Sequence, residues 1–120
     1  MLEAKDKALL VAKALSDKKG QDIVILNLQG LTLVADYFVL ATGKSGIQVQ
    51  SLADNVLEEL AKAGLKELRV EGLREARWVL VDYGDVVVHI FQEEERRFYD
   101  LERLWGDAKR IEYGEETAEI

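Results

Sequence analysis

The chain has 120 residues and 13.5 kDa, 48% hydrophobic and 32% charged, the size and make-up of one globular domain. With no cysteine and one histidine, disulfides, thiol catalysis and iron–sulfur clusters are excluded, and a zinc site would have to rest mostly on carboxylates. The net charge of −7 argues against direct nucleic-acid contact and suits a basic partner, ribosomal proteins being typical ones.

Residues 3–18 are expected to form a helix, with Ala4, Ala8, Val11, Ala12 and Leu15 on one face and Lys18-Lys19-Gly20 as its stop. Residues 22–28 (DIVILNL) are apolar enough for a central strand, and residues 37–42 (YFVLAT) form a second. Ser45 caps a helix over 46–63, where Val49, Leu52, Ala53, Val56, Leu57 and Leu60 keep helical spacing before Gly64. A short strand over 68–71 ends at Gly72. Residues 77–91 read as a hairpin around a Gly84-Asp85 loop. A last helix is expected over 94–105, its apolar side being Phe98, Leu101, Leu104 and Trp105. The order α-β-β-α-β-β-β-α predicts one compact α/β domain over 1–108, a mixed sheet of about five strands flanked by helices. Residues 109–120 are expected to be a loosely held acidic tail. No apolar run approaches the roughly 18 residues of a membrane helix, and the charged start has no signal-peptide core, so the expected location is the cytoplasm, without membrane contact.

Thr42-Gly43-Lys44-Ser45, between a strand and a helix, resembles the end of a phosphate-binding loop. That loop needs a glycine five residues before Gly43, and Phe38 stands there inside a strand, so a tight turn and helix cap are expected. His89 alternates with apolar residues and has no evident nucleophile to serve. Asp82 and Asp85 flank a turn that their own chemistry favours. Glu93-Glu94-Glu95 suits a helix N-terminus. No cofactor, metal or catalytic residue is expected.

A two-residue loop at Gly84-Asp85 sets Tyr83 opposite Val86, Asp82 opposite Val87 and Leu80 opposite His89. One face then carries Val79, Val81, Tyr83, Val86, Val88 and Ile90, a β-branched core surface. The other carries Trp78, Leu80, Asp82, Val87, His89 and Phe91. Large apolar groups mixed with an acid and an imidazole fit a protein–protein contact. They fit equally a face covered by the last helix, with Asp82 and His89 satisfied there, and the pattern alone leaves both readings open.

Residues 34–43 (VADYFVLATG), the helix over 45–59, residues 78–91 (WVLVDYGDVVVHIF) and residues 97–108 (RFYDLERLWGDA) together resemble the ribosomal silencing factor family, RsfS or Iojap. The resemblance runs from the first helix to about Ala108. It implies a nucleotidyltransferase-like fold without transferase activity. It also implies binding to the large ribosomal subunit through that subunit's fourteenth protein, at the face that meets the small subunit. Such binding blocks subunit joining and represses translation when nutrients are short, with a part in large-subunit maturation for related factors. Family members are also seen as homodimers when free. The partner contact is then expected on Trp78, Leu80, Asp82, Val87, His89 and Phe91, on the turn Tyr83-Gly84-Asp85, and on Tyr99, Glu102 and Trp105. The alternative is a nucleotidyltransferase-like enzyme of unknown substrate, with Gly43-Lys44-Ser45 as a relic of its glycine–serine turn. No Asp-x-Asp pair follows to hold magnesium, and Asp54 stands alone in a helix.

Overall fold

The first helix, α1 (Ala4–Asp17), buries Ala8, Val11, Ala12, Ala14 and Leu15, which is the expected face with Ala14 added and Ala4 only partly buried. Its stop works differently from the expected glycine C-cap. Lys19 takes the left-handed conformation at φ 63, and Gly20 is needed for space instead. A Cβ on Gly20 would lie 3.0 Å from the Leu15 carbonyl oxygen and 3.2 Å from Leu52. The structure, a computed structural model, describes residues 2–114.

Strand β1 (Gln21–Asn27) pairs antiparallel with β2 (Tyr37–Gly43), whose seven residues are all buried. Helix α2 (Gly46–Lys62) follows, then β3 (Arg69–Glu71), β4 (Trp78–Asp82) and β5 (Val86–Gln92). Strand β5 lies parallel to β2, and the other ladders are antiparallel. The sheet order is β3-β4-β5-β2-β1-β6, six strands rather than about five.

The sixth, β6 (Lys109–Glu112), corrects the expected loose tail. It pairs antiparallel with β1, and the Tyr113 amide donates to the Ile23 carbonyl at 2.9 Å. Ile111 and Tyr113 alternate with charged residues and pack against the core. Residues 115–120 of that tail lie outside the described residues.

The expected single C-terminal helix is two short ones, α3 (Glu93–Tyr99) and α4 (Leu101–Leu104). Asp100 separates them in the left-handed region at φ 44, a conformation Asp tolerates better than most residues. The break splits the expected apolar side. Leu101 and Trp105 turn onto the sheet, while Phe98 and Leu104 stay 78% and 70% exposed.

The sheet carries a core on each face. On the first, α1 and α2 cover Ile23, Ile25, Tyr37, Val39, Ala41, Val79, Val81, Val86, Val88 and Ile90. On the second lie Val24, Leu26, Phe38, Leu40, Val87 and Phe91, with Trp78, Leu80, Leu101, Trp105 and Ala108 partly buried against them. Short α3 and α4 leave this second face incompletely covered.

Candidate partner-docking face

The β4–β5 hairpin forms in the expected register. Trp78 faces Phe91, Leu80 faces His89 and Asp82 faces Val87. The Tyr83 amide donates to the Val86 carbonyl at 2.9 Å, and Gly84 sits at φ 88, which a glycine-first two-residue turn requires. Asp82 Oδ1 accepts from the Gly84 amide at 2.7 Å, and its Oδ2 pairs with Arg69 Nε at 3.3 Å. Asp85 is tied to α1 by Lys7, Nζ to Oδ2 3.0 Å, and its carbonyl accepts from the Asp36 and Tyr37 amides. The tip is thus fastened to α1 and to the start of β2.

Tyr83 belongs to the first core, not to the second face. Its ring is buried among the inward valines, its hydroxyl has no hydrogen-bond partner among the described residues, and burial with nearby Glu67 raises its pKa. Valines 87 and 86 are likewise buried, on opposite faces.

On the second face, rings form a continuous row from surface to core. Phe98 meets Tyr99 edge-on with centroids 5.0 Å apart, Tyr99 meets Trp78 at 4.6 Å, and Trp78 stacks on Phe91 at 5.1 Å. The Trp78 indole N–H donates to His89 Nδ1 at 3.1 Å. Phe38 packs edge-on against His89 at 4.5 Å and Trp105 at 6.1 Å.

His89 is 4% exposed and Phe91 fully buried, which takes both out of direct reach of a partner. Burial lowers the His89 pKa to about 4, against a weaker opposing pull from Asp82, so the ring is neutral near pH 7. Because Nδ1 accepts from Trp78, the proton sits on Nε2, which has no hydrogen-bond partner among the described residues. Asp82 is satisfied by the Gly84 amide and Arg69, and His89 Nδ1 by Trp78, rather than by the last helices. Tyr99 is exposed on this face, with Trp78, Leu80 and Trp105 half-buried.

Glu102 is half-buried and paired within the chain. Its Oε1 accepts from Arg96 Nε at 3.1 Å, and its Oε2 binds Arg110. Of the expected contact residues, the structure groups Trp78, Leu80, Tyr99 and Trp105 at the surface of the second face. Asp82, Gly84 and Asp85 shape the turn beside it.

Sequence reasoning missed Phe98 and Leu104, whose apolar character suggested burial in an unbroken helix. It also passed over Leu31, Leu33 and Val34, all exposed in the β1–β2 connection. An apolar run between two strand signals was the available clue. The Gly43-Lys44-Ser45 turn is a cap, as expected. Ser45 Oγ accepts from the Gln48 amide at 3.1 Å, and Gln48 Oε1 accepts from the Lys44 amide at 2.6 Å. Gln48 Nε2 also donates to the Lys19 carbonyl at 3.1 Å, binding the turn to the end of α1.

The family model described as "Ribosomal silencing factor during starvation" matches residues 1–120. The chain is 48% identical over 99 residues to the ribosomal silencing factor RsfS of Bacillus subtilis, covering 82% of this chain and 84% of that protein. It is 46% identical over 103 residues to that of Halalkalibacterium halodurans, covering 86% and 88%. A crystal structure of a Chromobacterium violaceum protein superposes with a TM-score of 0.86 at 38% identity, covering 98% of this chain and 97% of that one. The chain belongs to the ribosomal silencing factor family.

Proposed function

We propose that this protein is a ribosomal silencing factor that docks its second sheet face on the large ribosomal subunit. The contact falls on that subunit's fourteenth protein, at the surface that meets the small subunit, and occupying it blocks subunit joining. Translation is thereby repressed when nutrients are short, and a part in large-subunit maturation belongs to the same reading. The protein works in the cytoplasm, with no catalytic step and no cofactor, and forms a homodimer when free.

The observation that carries this reading is the partly covered second face, where exposed Phe98 and Tyr99 adjoin half-buried Trp78. Exposed aromatics over a rigid ladder are the usual anchors of a protein contact. The mechanism needs only steric exclusion. A net charge of −7 favours a basic protein over ribosomal RNA as the docking site. Mixing the purified protein with separated subunits tests the reading. Co-sedimentation with large subunits alone is the expected result, and sedimentation with small subunits or with neither contradicts it.

A further inference from the structure

The last helix of the docking face cannot hold itself in place. Helix α4 spans four residues, far below the roughly 12–15 at which an isolated helix becomes even marginal in water. Two things hold it: Leu101 and Trp105 pressed on the second core, and the Glu102 carboxylate.

Arg96 is 9% exposed, a cation few proteins bury without partners. Its Nη1 donates to Thr42 Oγ1 at the end of β2 at 2.9 Å, and its Nε donates to Glu102 Oε1 at 3.1 Å. The other Glu102 oxygen binds Arg110 of β6. Three elements, α3, α4 and β6, thus meet at one carboxylate, and Arg96 carries the link on to β2. Asp22, Glu93 and Glu112 line the same cleft, so the two guanidinium groups sit among acids. Burial pushes the Glu102 carboxyl up, but hydrogen bonds and charge from Arg96 and then Arg110 outweigh it and hold it below the usual carboxylate range.

We propose that Glu102 is a positioning residue: by bridging Arg96 and Arg110 it fastens α4 to β2 and to the C-terminal strand β6, so that the sheet edge farthest from β3 and β4 sets the arrangement of the docking face. The docking half of this inference rests on the proposed function. Asp100, left-handed at φ 44, breaks the helix between Tyr99 and Leu101, and the Arg96–Glu102 pair ties the second piece back to the first. Leu104 and Trp105 then stand at a set distance from Tyr99 and Trp78. Removing the Glu102 charge leaves the buried Arg96 guanidinium uncompensated, and reversing the exposed Arg110 charge sets a carboxylate against Glu102 and cuts the tie to β6, so either change loosens α4.

Hydrogen exchange on the full-length chain tests the clamp without any ribosome. In Arg110→Glu and Glu102→Gln, amides of residues 101–108 should exchange about tenfold faster while those of β4 and β5 stay unchanged, the sign of local rather than global opening. Arg110→Lys, which keeps the charge, should stay near the wild type. Affinity for large subunits should fall about three- to thirtyfold in Arg110→Glu, the range of coupling carried through packed networks, and be largely retained in Arg110→Lys. Unchanged exchange overturns the inference, even if binding falls, because Arg110 would then touch the partner directly. Faster exchange spread equally over the hairpin, or faster α4 exchange with undiminished binding, overturns it as well. Failure of the wild-type chain to bind large subunits would instead defeat the proposed function and the docking half with it, while the exchange result still decides whether Glu102 holds α4.

Discussion

Cutting Trp78 to alanine should destabilise the fold as well as the proposed contact. The indole is half-buried, packed on Phe91 and Tyr99, and it donates the hydrogen bond that the His89 ring accepts. A fully buried Trp costs about 3–5 kcal/mol on truncation, so half-burial gives about 2. Leaving the His89 Nδ1 acceptor without its donor adds about 1 kcal/mol. The sum, about 3 kcal/mol, corresponds to a fall in Tm of about 10–15 °C for a domain of this size. Trp78→Phe keeps the stack and removes only the N–H, so it should cost about 1 kcal/mol. Thermal and urea unfolding followed by circular dichroism would measure both. A Trp78→Ala protein that melts within about 3 °C of the wild type would show that the indole is not part of the fold's support. It would also restore the simpler picture of Trp78 as a surface anchor alone.

Phe98 and Leu104 offer the cleaner binding test. Phe98→Ala and Leu104→Ala should melt within about 2 °C of the wild type, as exposed substitutions do, yet weaken large-subunit binding about tenfold or more; unchanged sedimentation would remove them from the contact. Asp82→Asn keeps the acceptor for the Gly84 amide and deletes one charge, so stability should hold while binding to a basic partner weakens about two- to fivefold, more at low salt. Identical affinities across a salt series would rule out that charge. His89 is neutral in the fold with a pKa of about 4 against 6.5 unfolded, so its contribution is complete above pH 6.5 and is lost as pH falls toward 4. Urea titrations at pH 7.5 and 5.0 should differ by about 2 kcal/mol in the wild type and by much less in His89→Gln, and equal differences in the two proteins would contradict the assignment.

Where a local rule decided the structure, the residues announced it. The Gly84-Asp85 turn sets the hairpin register by itself, because a two-residue loop leaves one pairing and period-two alternation then assigns both faces. Ser45 and Gln48 likewise close the α2 N-terminus within four residues. Where distant partners decided it, the residues were silent. Asp100 breaks the last helix although residues 93–105 carry an unbroken helical pattern, and what rewards the break is Arg96 meeting Glu102 while Trp105 reaches Phe38. Strand β6 is four residues long and exists through its pairing with β1. The second face was half legible for the same reason. Alternation identified Trp78, Leu80, His89 and Phe91 as one surface, but which of them the last helices would cover depended on that break.

The proposed steric exclusion would make order of addition matter, and gradient sedimentation can read it. Protein added to free large and small subunits before they associate should leave more of them separate, as the small subunit finds its surface occupied. The same amount added to preformed ribosomes should change little, because the docking surface is already covered. Equal effects in both orders, or no shift toward free subunits in either, would contradict the claim that this family member silences ribosomes by occupying the subunit-joining surface.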